Sequence, residues 1–186
     1  MSPKRILDLG VSLAGLLALS PLLLLVALAV RLESGAPVLF RQRRVGLHGA
    51  EFEMLKFRSM VRDAARLGPH HTAERDPRVT RVGRFIRRTS LDELPQLVNV
   101  LRGDMSLVGP RPDVPLQRTL YTDAEWLQRC SVRPGITGLA QASLRSQATF
   151  RQRLDLDLDY TRRAGILLDL RILLMTLRRL GPAGSN

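Results

Sequence analysis

Leu13-Ala14-Gly15-Leu16-Leu17-Ala18-Leu19-Ser20-Pro21-Leu22-Leu23-Leu24-Leu25-Val26-Ala27-Leu28-Ala29-Val30 is apolar or glycine at every position but Ser20. About 18 such residues lie at the lower end of what crosses a bilayer as a helix. So uniform a Leu-rich run is ill suited to the core of a 186-residue chain. A signal peptide would have a shorter apolar region and a small-residue cleavage site. Ala27-Leu28-Ala29 does not serve as one, because the run continues to Val30 and a basic stretch follows. The segment therefore belongs in a membrane. Lys4 and Arg5 precede it, and Arg31, Arg41, Arg43 and Arg44 follow it. The positive-inside rule keeps both flanks in the cytoplasm, so the segment must turn back within the bilayer. Ser20-Pro21 stands near its middle, where proline removes a backbone donor and kinks the helix. A serine hydroxyl there takes up a carbonyl freed by the kink. A kinked spanning helix is the alternative; charge and kink together favour re-entry.

The rest of the composition sets the chemistry. Twenty-nine Lys and Arg against seventeen Asp and Glu give a formal net charge of +12, so the partners are anionic: a lipid surface, nucleic acid or phosphorylated small molecules. Aromatic residues are 4% of the chain, too few for base stacking, and together with the membrane run this argues against nucleic acid. The single cysteine, Cys130, rules out an intrachain disulfide and reads as a small buried hydrophobe.

Val38 to Val45 and Glu51 to Phe57 read as two strands joined by a turn at Gly46-Leu47-His48-Gly49. The hairpin gathers Arg41, Arg43, Lys56 and Arg58 near the end of the membrane segment. It is either a solvated basic edge or a patch facing lipid headgroups or a phosphate substrate. Ser59 to Leu67 reads as a short helix, and Gly68-Pro69 breaks it. His70, His71, Glu74 and Asp76 match no zinc spacing and read as an exposed loop. Thr80 to Arg88 is a second short helix. Next comes Thr89-Ser90-Leu91-Asp92-Glu93-Leu94-Pro95-Gln96, two carboxylates behind two arginines. Ser90-x-x-Glu93 fits a capping box, which accounts for the acidic pair without any chemistry. The helix it opens is expected to start between Leu91 and Leu94 and to stop at Gly103.

Pro110-Arg111-Pro112 fixes the backbone on both sides of one guanidinium, a stiff mount suited to bidentate phosphate recognition. Arg133-Pro134-Gly135-Ile136-Thr137-Gly138 reads as a second stiffened loop whose glycine N–H groups could approach an anion. Helices follow at Asp123, from Ala148 to Arg163, and from Ile166 to Leu180; the last is amphipathic and faces either the core or the membrane surface. The fold class is thus α/β and mostly helical: a re-entrant anchor in residues 1–34, a cytoplasmic-face region in 35–180 with a small β-hairpin and amphipathic surface helices, and a loose tail in 181–186.

Taken together, the broken apolar helix, Lys56-Phe57-Arg58-Ser59-Met60, the Thr89–Gln96 segment, Gly103-Asp104-Met105-Ser106-Leu107-Val108-Gly109-Pro110-Arg111-Pro112 and Arg133–Gln141 resemble the bacterial sugar transferase family. Its members are the monotopic polyprenyl-phosphate phosphoglycosyl transferases, and the resemblance, to their minimal catalytic form, runs over nearly the whole chain. It implies transfer of a phosphosugar from a UDP-sugar to undecaprenyl phosphate with release of UMP, at the inner face of the cytoplasmic membrane, as the first step of a membrane glycan. It implies that Asp92 is a covalent nucleophile in a ping-pong cycle and that Glu93 holds Mg²⁺. By the same resemblance Lys56, Arg58, Arg111, Arg145 and Asp157 surround the substrate, and Ser20-Pro21 is the membrane break. Residues 142–147 and 162–166 depart from the family pattern, so the sugar is not implied. The oligomeric state is left open, a homodimer included. The reading from another class is a non-enzymatic basic module that docks on anionic lipid.

Overall fold

Helix α1 (Pro3–Ala18) starts where the Ser2 side chain accepts from the Arg5 N–H and Pro3 occupies the first turn. It ends at Leu19, and α2 (Ser20–Ser34) leaves at a bend of 63°. The break falls where the sequence placed it: Pro21 lacks an N–H, and the Ser20 hydroxyl donates to the Leu17 carbonyl at 2.8 Å. Among the described residues no single helix is long and apolar enough to cross a membrane, but the bent pair together meets that length and hydropathy. The computed structural model describes residues 1–64, 76–144 and 148–180.

The two limbs of the pair have different attachments. α1 turns a polar stripe inward: Asp8 and Ser12 are buried, and Arg5 donates to the Val100 and Leu101 carbonyls. α2 buries Val26 and Val30 against Phe57 and Ile86, and leaves Leu24, Leu25, Leu28 and Leu32 more than half exposed. Its last turn carries Glu33, whose two carboxylate oxygens cap the N–H groups of Arg81 and Val82. Those residues open α3 (Arg81–Arg88), which fills the helix read from Thr80 to Arg88, with the Thr80 side chain accepting from the Gly83 N–H.

Strands β1 (Leu39–Val45) and β2 (Glu51–Phe57) form the expected antiparallel hairpin, with Phe40 opposite Lys56 and Arg44 opposite Phe52. Strand alternation divides its charges. Arg41 and Arg43 face solvent and pair with Glu53 and Glu51, whereas Gln42, Arg44 and Lys56 face inward. The helix expected from Ser59 is absent over residues 59–64, which instead form a Met60–Val79 bridge and a turn. The rest of that stretch, with His70, His71 and Glu74, lies outside the described residues; Asp76 binds the Arg78 guanidinium at 2.7 Å. Gly83 allows α3 to lie on this segment, because a Cβ there would stand 1.9 Å from the Ser59 carbonyl oxygen.

α4 (Gln96–Arg102) stops at Gly103, which takes φ 94° as expected of a C-terminal glycine. Its fully buried Asn99 accepts from the Leu55 N–H at 2.9 Å and donates to the Glu53 carbonyl at 2.7 Å, docking the helix on β2. The loops around Gly109 and Gly135 turn out to be short parallel strands, β3 (Ser106–Val108) and β4 (Gly135–Thr137). Gly135 uses its N–H on the Pro110 carbonyl, and a Cβ at Gly109 or Gly135 would strike the other segment's backbone at 2.3 and 2.1 Å. Both glycines serve close strand packing, and the occupied Gly135 N–H corrects the expectation that it approaches an anion. α5 (Asp123–Arg129), α6 (Leu139–Ser143), α7 (Phe150–Arg163) and α8 (Ile166–Leu180) complete the chain. The main core runs through Met54, Val100, Met105, Val108, Tyr160 and Ile172. Cys130 is buried, as read.

Candidate active site

The capping box is not formed. Ser90 takes a left-handed conformation at φ 56°, its side chain caps nothing, and Leu91–Glu93 is a 3-10 turn before α4 starts at Gln96. That left-handed residue costs roughly 1 kcal/mol for a non-glycine, and it turns the acidic pair away from the helix end. Glu93 is thereby free to reach long-range partners. Its Oε1 accepts from Lys56 Nζ at 2.7 Å and from Arg111 Nη2 at 2.9 Å. Burial pushes the Glu93 pKa up, but Arg111 and Lys56 outweigh it and hold the carboxyl at about 2. Asp92 is 8% exposed, and burial raises its pKa above the usual carboxylate value, against the pull of Lys56 and Arg87. Desolvation likewise lowers the Lys56 pKa, opposed by Glu93. Adjacent carboxylates are thus set in opposite directions by their surroundings, a pattern of functional sites.

Three separate segments supply the residues of the site. Lys56 stands at the end of β2, Asp92 and Glu93 on the turn between α3 and α4, and Arg111 on the Pro-Arg-Pro segment after β3. Arg44 on β1, read from the sequence only as one more positive charge, supports that segment: its Nη1 donates to the Pro112 carbonyl at 2.8 Å. Burial lowers the Arg44 pKa to about 10, with Arg111 adding to the effect.

Arg129, also unremarked in the sequence, is a second support. It is buried between Asp113 (2.6 Å) and Asp157 (3.0 Å), lies 5.5 Å from the Tyr121 ring centre, and donates to the Arg111 carbonyl at 2.6 Å. Cation, two carboxylates and ring together fix the backbone from which Arg111 projects. Nothing in the sequence around Arg129 signals this, because its partners lie 16 and 28 positions away.

Two cavities open on this arrangement. One, about 640 Å³, holds the acidic pair with Lys56, Arg58, Arg87 and Phe40. The other, about 500 Å³, holds Asp113, Tyr121, Arg129, Phe150 and Asp157. Arg44 and Arg111 line both and form the wall between them. Of the residues expected around the substrate, Lys56 and Arg111 meet the acidic pair directly. Arg58 lines the same cavity but turns its Nη2 to Ser34 and Gly35 at the end of α2. Asp157 belongs to the second cavity; burial pushes its pKa up to about 6 despite Arg129, and its Oδ1 has no hydrogen-bond partner. Arg145 lies outside the described residues.

Among the described residues no three His, Cys, Asp or Glu side chains cluster closely enough to hold a metal ion. Two adjacent carboxylates fit a hard ion that takes most of its coordination from substrate phosphates and water, as Mg²⁺ does.

A family model described as bacterial sugar transferase matches residues 1–181. The undecaprenyl-phosphate glucose phosphotransferase of Komagataeibacter xylinus is 50% identical over 190 residues, 96% of this chain and 36% of that protein. The UDP-glucose:undecaprenyl-phosphate glucose-1-phosphate transferase of Caulobacter vibrioides is 50% identical over 93% of this chain and 67% of its own length. The exopolysaccharide production protein PSS of Rhizobium leguminosarum bv. phaseoli is 45% identical over 93% of this chain and 92% of its own. The chain thus spans about a third of the first relative and nearly all of the third. With the whole of the described fold inside the matched region, the chain belongs to the bacterial sugar transferase family.

Proposed function

We propose that the chain transfers a sugar phosphate from a UDP-sugar to a polyprenyl phosphate, undecaprenyl phosphate being the acceptor that the relatives' names supply, and releases UMP. The observation that carries this is the pair Asp92-Glu93 in a basic cavity: one carboxylate desolvated, the other held ionised by Lys56 and Arg111. Phosphoryl transfer is mostly positioning and charge stabilisation, and a carboxylate that attacks phosphorus divides one displacement into two.

In the first step an Asp92 oxygen forms a bond to the β-phosphorus of the donor. The bond from that phosphorus to the bridging oxygen breaks, and UMP leaves with the electron pair. In the second, an oxygen of the polyprenyl phosphate attacks the same phosphorus, and the Asp92 carboxylate is regenerated. Lys56 and Arg111 face the charge that develops on the diphosphate, and Arg129 and Arg44 keep Arg111 in place. Mg²⁺ bound beside Glu93 would neutralise diphosphate charge. In this reading the bent α1–α2 pair re-enters the bilayer and leaves it on the same side, and the reaction runs at the cytoplasmic face of the cytoplasmic membrane; the 63° bend at Ser20-Pro21 supports it.

The test is UMP release from a panel of UDP-sugars, UDP-glucose first, with and without undecaprenyl phosphate. Asp92→Asn is expected to lose turnover at least ~1,000-fold while still partitioning to membranes. Turnover retained by that variant would remove Asp92 as nucleophile, and no UMP from any donor would leave the basic lipid-docking module as the better reading.

A further inference from the structure

The cavity that holds the acidic pair has a second concentration of charge at the end nearer α2. Arg58 is 6% exposed, and only its Nη2 is engaged, by the Ser34 carbonyl and hydroxyl and the Gly35 carbonyl. Among the described residues its Nε and Nη1, both buried, have no hydrogen-bond partner. Leaving donors of a buried cation unmade is costly, so a ligand that supplies acceptors there recovers that cost. Arg62 lines the cavity beside Arg58, and among the described residues no carboxylate bonds to the Arg58 guanidinium. Arg87, which donates to the Ser59 hydroxyl at 2.7 Å, lines the same cavity between this group and Asp92.

The surroundings of this group identify the anion. Arg58 is bonded to the C-terminal end of α2, the limb that leaves Leu28 and Leu32 exposed in its last turns. Phe40 and Val61, both substantially exposed, line the cavity beside it. An anion that enters here brings an apolar chain along the membrane limb. The second cavity, beyond Arg44 and Arg111, holds hydrogen-bonding groups of both signs and a buried unpartnered Asp157 oxygen, which suits a neutral polar group better than a phosphate.

Resting on the proposed transfer reaction, we infer that Arg58 and Arg62 receive the phosphate monoester of the polyprenyl acceptor, while the donor diphosphate lies across Lys56, Arg111 and the acidic pair. The two substrates then approach Asp92 from opposite ends of one cavity. The monoester oxygen forms the new bond to the phosphorus carried by Asp92. The bond from that phosphorus to the Asp92 oxygen breaks, its electron pair returns to the carboxylate, and no proton moves when the monoester attacks as a dianion.

The two half-reactions are measured separately on the full chain in detergent. The first is the burst of UMP from UDP-sugar without acceptor; the second is the apparent KM for undecaprenyl phosphate at saturating donor. Arg62→Gln and Arg58→Lys are expected to raise the acceptor KM roughly tenfold or more, with the change in the burst much smaller. Arg58 also anchors α2, so Arg62→Gln decides the matter if the other variant fails to fold. A burst that falls as far as the acceptor step would place these arginines on the donor and overturn the assignment. An unchanged acceptor KM, with weaker binding to vesicles containing phosphatidylglycerol, would make them a headgroup contact instead. A wild-type chain that gives turnover but no acceptor-free burst would remove the covalent step first, and a KM response in the arginine variants would still place the acceptor here.

Discussion

Asp92 and Glu93 are neighbours in sequence and opposites in environment. Glu93 spends its charge on Lys56 and Arg111, and Asp92 keeps one carboxylate buried with cations only at longer range. Asp92 must be ionised to attack, so UMP release should rise with pH through its pKa, which burial lifts above the ordinary carboxylate value and Lys56 pulls down. Lys56→Gln removes that pull. The acid limb of kcat/KM for UMP release should move to higher pH, and the plateau should fall roughly 10- to 100-fold through the lost phosphate contact. A pH profile of the variant measures both, and an unmoved limb would separate Lys56 from Asp92. The acidic pair itself was legible in the sequence, but its environment was not. Ser90-x-x-Glu93 has the spacing of a capping box, and only the left-handed Ser90 turns Glu93 away from the helix end toward residues 37 and 18 positions distant. Arg129 and Asn99 escaped for the same reason, since their roles lie entirely in partners far along the chain.

Local periodicity and proline or glycine punctuation carried most of the elements. The hairpin, α3, the stop of α4 at Gly103 and the break at Ser20-Pro21 all lie where side-chain pattern and backbone chemistry place them. β3 and β4 did not show, because three residues each, paired in parallel across more than 25 positions, leave no local period. The helix pair also carries a topological prediction. On the proposed re-entrant topology, a cysteine introduced at Ser2 and another at Ala50, in separate chains, should both be shielded from an impermeant thiol reagent added outside intact cells. Cys130 is buried and contributes little background. Replacing Ser20 and Pro21 together by leucine restores the missing N–H and allows one straight span, so one of the two positions should become labelled. Labelling of one position in the unaltered chain would mean that the pair crosses.

At the scale of the molecule, α1 and the rest of the chain share one polar core. Lys4 reaches Asp169 at 2.5 Å, the Val108 carbonyl at 3.0 Å and the Tyr160 hydroxyl at 3.3 Å, and that hydroxyl lies 2.9 Å from the Val108 carbonyl and 2.8 Å from Asp169 Oδ1, sharing its one hydrogen between them. Asp8, four positions on, accepts from the Ser106 hydroxyl and the Leu107 N–H. α1 is therefore bolted to β3 and α8, and β3 leads directly to Pro110-Arg111-Pro112. Asp169 is 2% exposed, so removing its cation leaves a buried carboxylate with the Tyr160 hydroxyl but no countercharge from Lys4. Lys4→Met is expected to cost about 3–5 kcal/mol, whereas Lys4→Met with Asp169→Leu should recover most of that loss. Thermal unfolding of the two single variants, the double variant and the unaltered chain in one detergent closes the cycle. Additive losses would mean that the ammonium and the carboxylate do not sense each other, and that α1 is held by its other contacts, those of Arg5 and Asp8 among them. A large coupling, with the double variant losing UMP release more than stability, would tie the anchor to the placement of Arg111 through the Val108 carbonyl.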